Sequence, residues 1–247
     1  MSKEAFVAIV TADQPDTPDY FTYDAILNTK EHPTLEQARE RSLKPLELAQ
    51  VLQLKEEGAQ LLDVRELADF LGGHLAGSLN IGLDGRYATW AGTLLDHDHP
   101  IVIIAEPGRE EEAQTRLARI GFDHVAGYLA GGMEALEERA DLVQRIKRIT
   151  AATLAEQRAE PQPPAVLDVR SEKEWLEEHI EGSLNIPLNH LRERLHELPG
   201  NRQIVVHCAS GYRSSTAASL LEQHGVDVAD LVGGLGAWEA ARLETVG

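Results

Sequence analysis

An internal repeat constrains the fold of this chain more than any other feature of its sequence. The stretch LLDVRELADFLGGHLAGSLNI at residues 61–81 aligns without a gap with VLDVRSEKEWLEEHIEGSLNI at residues 166–186. Further along, IVIIAEPGREEEA at 101–113 aligns with IVVHCASGYRSSTA at 204–217 when one gap is allowed. Repeated segments of this length share one fold, so the sequence predicts two similar domains within its 247 residues.

Each copy alternates short apolar strands with amphipathic helices. This alternation is typical of the α/β class, in which a mainly parallel sheet carries helices on both faces. Three prolines, Pro161, Pro163 and Pro164, cannot continue a helix and indicate a break between the copies. The predicted organisation is an N-terminal extension at 1–42, a first domain at 43–149, a linker at 150–164 and a second domain at 165–247.

The only cysteine of the chain, Cys208, lies in the segment IVVHCASGYRSST at residues 204–216. If residues 204–206 form a buried strand and a helix begins at Ser214, the free N–H groups of the helix end point at the sulfur. The helix dipole and Arg213 would then stabilise a thiolate, which is the nucleophilic form of cysteine. An isolated cysteine after an apolar run is usually a core residue. The glycine, arginine and serines that follow favour a reactive site instead.

The motifs D-V-R, H-I-x-G-S-x-N-I, C-A-S-G-Y-R-S and G-G-x-x-A-W occur here in the order found in the rhodanese family of sulfurtransferases. Residues 43–247 resemble two rhodanese copies. The resemblance implies that Cys208 takes a sulfane sulfur from a donor, becomes a persulfide and passes the sulfur to a thiophilic acceptor, without a cofactor. The expected donors are thiosulfate, polysulfide or a small persulfide, and the expected acceptors are cyanide in vitro and a thiol or sulfite in the cell.

The neighbours of Cys208 suit the binding of an anion. Arg213 offers a planar fork of donors that would orient an anionic sulfur donor. Backbone N–H groups across the loop would stabilise the terminal persulfide sulfur. The residues predicted to contact substrate are Ala209, Ser210, Gly211, Tyr212 and Ser214. The two serines suit a turn and a helix cap equally well, and Tyr212 is either a wall of the entrance or simply exposed.

The spacing between Cys208 and Arg213 distinguishes two anion chemistries. C-x4-R is the loop typical of sulfur-transferring rhodaneses, whereas phosphatases of the same fold resemble C-x5-R, with room for a phosphate. The shorter loop favours a persulfide over a phosphocysteine, so a cysteine phosphatase or arsenate reductase is the less favoured alternative.

The first copy departs from the rhodanese pattern at the nucleophile. Ala105 stands where Cys208 stands in the second copy. Glu110, Glu111 and Glu112 follow it at the predicted N-terminus of a helix, where carboxylates occupy the positive end of the dipole. The first domain is therefore predicted to be inactive, with a role in packing, regulation or partner contact.

Upstream of the first copy, residues 14–28 read QPDTPDYFTYDAILN. This phrase resembles the C-terminal tail of metallo-β-lactamase-fold persulfide dioxygenases, some of which are fused to an inactive and then an active rhodanese domain. The resemblance implies that the chain corresponds to the rhodanese portion of such a fusion. An alternative function follows, in which the chain is a sulfur carrier or docking module for a persulfide dioxygenase.

Composition excludes several other partners. The chain carries 23 basic and 41 acidic residues, and the resulting charge of −18 disfavours nucleic acid and anionic membranes. A single cysteine cannot form an internal disulfide, and no apolar run approaches the roughly 20 residues of a membrane helix, so we expect a cytoplasmic protein. The DHDHP segment at 96–100 lacks a recognisable ligand pattern, so no metal site is predicted.

Overall fold

A computed structural model describes residues 1–11 and 43–247, which contain two five-stranded parallel sheets. The strands are β1 (Pro45–Leu46), β2 (Gln60–Asp63), β3 (His74–Leu75), β4 (Leu79–Asn80), β5 (Ile101–Ile104), β6 (Val125–Leu129), β7 (Val143–Gln144), β8 (Lys147–Ile149), β9 (Ala165–Asp168), β10 (Leu184–Asn185), β11 (Ile204–His207) and β12 (Val228–Leu231). The first sheet has the order β1-β6-β5-β2-β4, and the second has the order β10-β9-β11-β12-β8. Read from the opposite edge, the second order matches the first strand for strand, which the sequence repeat predicted.

The described residues form α-helices, and those after the first lie around the two sheets. They are α1 (Lys3–Thr11), α2 (Leu48–Glu56), α3 (Leu67–Gly72), α4 (Tyr87–Leu94), α5 (Glu110–Ala118), α6 (Ala151–Arg158), α7 (Glu172–Glu177), α8 (Tyr212–Gln223) and α9 (Gly234–Ala240). The central strands β5 and β11 are buried along their whole length, as expected for parallel strands covered on both faces. The predicted α/β fold class is confirmed. No helix in the described part of the chain is long and apolar enough to span a membrane.

The N-terminal extension predicted at 1–42 is described only over its first eleven residues. Within them, α1 exposes the apolar side chains of Phe6 and Ile9. The dioxygenase-like phrase at residues 14–28 lies outside the described residues.

The segment between the domains differs from the prediction. Much of the expected linker at 150–164 is helix α6, and β8 directly before it pairs in parallel with β12. Thr150 caps α6 by accepting a hydrogen bond from the Thr153 amide at 3.2 Å, and Leu154 is fully buried in the second domain. The predicted linker is therefore too long, because the proline cluster indicates only where α6 must already have ended. A three-residue edge strand has too little pattern to be read from sequence.

The two domains share one apolar core. A single cluster of buried side chains contains Leu62 and Ile103 of the first sheet together with Leu167, Val206 and Cys208 of the second domain. Removing such surface from water stabilises the contact between the sheets by roughly 25 cal/mol per Å². Cys208 thus lies in a core to which both repeats contribute.

Candidate active site

Cys208 occupies the loop between β11 and α8. The helix begins at Tyr212, two residues earlier than predicted, because Gly211 adopts a φ of 127° that favours glycine and turns the chain into the helix. The Gly211 N–H donates to Cys208 Sγ across 3.1 Å. The cysteine itself is only 2% exposed. The loop therefore presents one backbone donor, the Gly211 amide, to the sulfur.

Gly233 and Gly234, at the start of α9, allow the backbone of this helix to contact the Cys208 loop. The amides of Leu235 and Gly236 donate to the carbonyls of Cys208 and Ala209 at 2.8 and 3.1 Å. Gly234 has a φ of +58°, and a Cβ there would collide with the Cys208 carbonyl. The G-G-x-x-A-W motif therefore works by letting the backbone of α9 approach the backbone of the cysteine loop.

Ser214 is a buried support of the loop. Its hydroxyl lies 2.9 Å from the Gly211 carbonyl and 2.7 Å from Asp230 Oδ1. Asp230 is fully buried, and burial raises its pKa, while Arg148 approaches its other oxygen at 3.6 Å. The Ser214 hydroxyl can donate to the Gly211 carbonyl or to the Asp230 carboxylate. The hydroxyl of Ser214 is thus engaged inside the protein.

Arg213 is held by a partner that the sequence did not reveal. Its guanidinium donates to both carboxylate oxygens of Glu174, at 2.7 and 2.8 Å. These bonds lower the pKa of Glu174 to about 2 and raise the pKa of Arg213. Glu174 also accepts from the amide and hydroxyl of Ser171, forming the capping box that starts α7. The fork of Arg213 is therefore occupied, and its predicted contact with an anionic donor stays a prediction.

The other predicted contact residues divide into two groups. Ala209 and Ser210 are exposed beside Cys208, where they can meet a substrate. Tyr212 is half-buried instead, and its hydroxyl donates to the carbonyl of Gly82 in the first domain at 2.8 Å. Of the two interpretations of Tyr212, free exposure is excluded, because its ring lies against the other repeat.

His207, directly before the cysteine, is fully buried. Its Nδ1 lies 3.2 Å from the Cys208 carbonyl, its Nε2 lies 3.7 Å from an oxygen of Asp168, and burial lowers its pKa. Asp168 is bound by Arg170, which also donates to the Glu178 carbonyl at 2.6 Å. These groups are packed below the loop and do not face an incoming substrate.

The first domain repeats this framework without a thiol. Asp63 and Arg65 form the same pair as Asp168 and Arg170, and Ala105 is buried in the position of the cysteine. Glu110 at the start of α5 accepts a hydrogen bond from the Gly108 amide at 2.8 Å, so a carboxylate does occupy the helix N-terminus. A cavity of about 430 Å³ remains beside Ala105. Without sulfur, this loop cannot carry a persulfide.

The DHDHP segment is built into the first domain by packing. His97 stacks on Phe122 with ring centroids 3.8 Å apart, and His99 Nδ1 lies 3.1 Å from the Gly58 carbonyl. Among residues 1–11 and 43–247, no three His, Cys, Asp or Glu side chains converge on a possible metal.

The family model for the rhodanese-like domain matches residues 47–139 and again 150–241. The chain belongs to the rhodanese family. The second match begins close to α6, in agreement with the shorter linker seen in the structure.

Relatives of this rhodanese chain include a sulfurtransferase of Allochromatium vinosum, which is 31% identical over 102 residues, 41% of this chain and 95% of that protein. An HTH-type transcriptional regulator of Mycobacterium tuberculosis is 29% identical over 126 residues, which cover 50% of this chain. The chain spans only 53% of that regulator's length. A solved rhodanese-related protein of Thermoplasma volcanium is 35% identical, with 40% of this chain and 97% of that chain covered and a TM-score of 0.38.

Proposed function

We propose that this protein is a sulfurtransferase of the thiosulfate class that carries sulfur as a persulfide on Cys208. Membership of a family with named sulfurtransferases gives the broad activity. The observation that carries the specific proposal is the lone thiol at the N-terminus of α8, with the Gly211 N–H donated to its sulfur. A thiolate in that position has a donor aimed at the atom that gains charge.

The proposed cycle has two displacements. The Cys208 thiolate attacks the outer sulfur of thiosulfate, a new S–S bond forms, and sulfite leaves with the electron pair of the broken S–S bond. An acceptor thiolate then attacks the terminal persulfide sulfur, forms its own persulfide and returns Cys208 as a thiolate. Each step forms one S–S bond and breaks another, so the oxidation states balance and no external oxidant or cofactor is required.

We assign a separate role in this cycle to each residue of the Cys208 loop. Exposed Ala209 and Ser210 border the path of the incoming donor, and the loop amides bind the terminal sulfur. Gly211 supplies the donor nearest to Sγ, Ser214 and Tyr212 hold the start of α8, and Arg213 contributes positive charge that Glu174 partly neutralises. We propose a reducing, cytoplasmic compartment, because an unpaired thiol must stay reduced to act.

The test is the covalent intermediate itself. The purified chain is treated with thiosulfate and examined by intact mass, and we expect addition of one sulfur atom to the wild type and none to Cys208→Ser. An adduct that survives the substitution, or no adduct with any sulfane donor, would refute the proposal. Turnover with thiosulfate, mercaptopyruvate and glutathione persulfide then identifies the donor class.

A second candidate function is sulfur carriage for a persulfide dioxygenase. The Arg213–Glu174 pair favours it, because a neutralised arginine offers less attraction to a free anion such as thiosulfate. The resemblance of residues 14–28 to a dioxygenase tail points the same way. Under this alternative, Cys208 accepts sulfur once but turns over free thiosulfate very slowly, and the chain is retained by an immobilised persulfide dioxygenase.

A phosphatase or arsenate reductase remains the least favoured candidate. It would hydrolyse an aryl phosphate in a Cys208-dependent reaction, and we expect no such activity from a C-x4-R loop. Hydrolysis of an aryl phosphate by the wild type, absent in Cys208→Ser, would favour a phosphatase over a sulfurtransferase.

A further inference from the structure

One face of α8 carries a stripe of side chains that contact the first domain. The stripe consists of Tyr212, Ser215, Ser219 and Glu222, spaced three or four residues apart, as required for one side of a helix. Ser215 and Ser219 are almost completely buried. Buried polar groups need hydrogen-bond partners, and each side chain of the stripe has one in the first repeat. The Ser219 hydroxyl also donates to the Thr216 carbonyl of its own helix at 2.8 Å.

Asn80 of β4 is the central partner. Its side-chain oxygen accepts a hydrogen bond from the Ser215 hydroxyl at 2.6 Å, and its backbone N–H donates to the Ser219 hydroxyl at 3.0 Å. Its amide nitrogen donates to the carbonyls of Asp63 and Arg65, both at 3.1 Å. These bonds fix which end of the amide faces α8.

The far end of the stripe is held by a buried histidine. His74 Nδ1 donates to the Phe70 carbonyl at 2.9 Å, and Nε2 lies 2.7 Å from Glu222 Oε2. The ring is fully buried and stacks on Phe70. The pair therefore joins the last turns of α8 to α3 and β3.

The near end of the stripe is the ring of Tyr212, which lies against two glycines of the first domain. A Cβ on Gly85 would stand 2.8 Å from the Tyr212 Cδ2 atom and closer still to two other ring carbons. Gly85 does not have a positive φ, so its backbone would accept alanine. The tyrosine ring is what requires glycine there. Gly82 supplies the carbonyl to which the hydroxyl donates.

We propose that the first repeat is a positioning domain for the Cys208 loop and that Gly85 is its decisive residue, acting through Tyr212. Tyr212 follows Gly211 directly, and the Gly211 N–H is the group bound to Cys208 Sγ. Leu67 of the first domain also touches this turn, because a Cβ on Gly211 would lie 2.9 Å from its Cδ2. Holding the Tyr212 ring in place thus holds the donor that faces the sulfur. The proposal deepens the sulfurtransferase proposal and rests on it.

The test compares Gly85→Ala with Gly72→Ala. Gly72 is also in the first domain, and a Cβ there meets nothing within 4 Å, so it is a matched control. Gly85→Ala should displace the Tyr212 ring and lower the rate of Cys208 persulfidation by about tenfold to a hundredfold, the cost of a small misplacement at a reacting centre. Gly72→Ala should keep the wild-type rate.

A double-mutant cycle separates positioning from general damage. Once Tyr212→Ala removes the ring, adding Gly85→Ala should change the persulfidation rate no further. A Gly85→Ala variant that reacts at the wild-type rate would overturn the proposal, and so would an equal loss of rate with and without the Tyr212 ring. If Gly85→Ala does not fold, Ser215→Ala takes its place. An unchanged rate in Ser215→Ala would then overturn the proposal.

The same variants are also measured by the rate of Cys208 alkylation with iodoacetamide. The chain has one cysteine, so intact mass reports this reaction without interference. Alkylation needs no sulfur donor. If wild type forms no persulfide, the sulfurtransferase proposal fails, while a slow alkylation of Gly85→Ala relative to Gly72→Ala would still support the positioning role.

Discussion

Replacing Glu174 by glutamine tests how strongly the Arg213 pair holds the active-site loop. Arg213 lowers the pKa of Glu174 from its ordinary value of 4.5 to about 2. In a fully buried pair, a change of that size corresponds to roughly 3 kcal/mol of folding free energy. The Glu174 side chain is 36% exposed and that of Arg213 is 24% exposed, so solvent screening reduces the value. We expect Glu174→Gln to lower the free energy of unfolding by about 1 kcal/mol at pH 7.

The pH dependence of this loss follows from the direction of the shift. A carboxylate whose pKa is lower in the folded state stabilises the fold above its unfolded pKa, near 4.5. That stabilisation decreases as the pH falls from the unfolded pKa through the folded pKa of about 2, and it is gone below that pH, where the carboxyl is protonated in both states. The difference between wild type and Glu174→Gln should therefore be constant above pH 6 and smaller at pH 4.

The assay is urea unfolding of four proteins, namely the wild type, Glu174→Gln, Arg213→Gln and the double variant. The cycle isolates the coupling between the two side chains from the loss of either one. A coupling below about 0.3 kcal/mol at pH 7, or one that does not decrease toward pH 4, would refute the reasoning. The same variants are assayed for the KM of thiosulfate, because a released Arg213 should bind the anion more tightly in Glu174→Gln.

Three further predictions concern the surroundings of the loop. Glu222→Gln should cost about 1–2 kcal/mol of unfolding free energy by weakening the bond to buried His74, measured by denaturant unfolding. Asp230→Asn should raise the melting temperature at pH 7, because burial raises the pKa of Asp230 and its ionised form therefore destabilises the fold. This gain should vanish as the pH falls below 3.8, where the wild-type carboxyl is protonated in both the folded and the unfolded state. Gly211→Ala should cost about 1–3 kcal/mol at its φ of 127° and slow Cys208 alkylation strongly, whereas Gly200→Ala, with nothing within 4 Å, should change neither.

Much of the fold was accessible from sequence, because buried parallel strands leave continuous apolar runs. The runs at 101–104 and 204–207 are β5 and β11, and the repeat correctly indicated that both domains share one strand order. The edge strands β1 and β8 were not predicted, because two or three residues show no periodicity. The start of α8 was predicted two residues too late, because the residue type of Gly211 does not determine that its φ is positive.

The site was predictable where its chemistry is local along the chain. Cys208, Gly211 and the hydroxyl residues after them stand in one segment, and their spacing to the helix end was enough to predict a nucleophile, which stays a prediction. Glu174 was missed because it lies 39 residues from Arg213 in sequence. Its S-x-x-E spacing to Ser171 is typical of a capping box at a helix start, but that pattern does not indicate a second partner for the carboxylate.

The pairing of β8 with β12 has a consequence for dissecting this protein. A fragment cut at the proline cluster would lose β8 and α6, leave β12 as an unpaired edge and expose the face of α8 that the first repeat covers. Open strand edges promote aggregation. Loss of activity in such a fragment would report a broken scaffold and would say nothing about chemistry in the missing half. A fragment that starts before β8 would keep this strand pair and α6, but it would still expose the polar face of α8 that the first repeat covers.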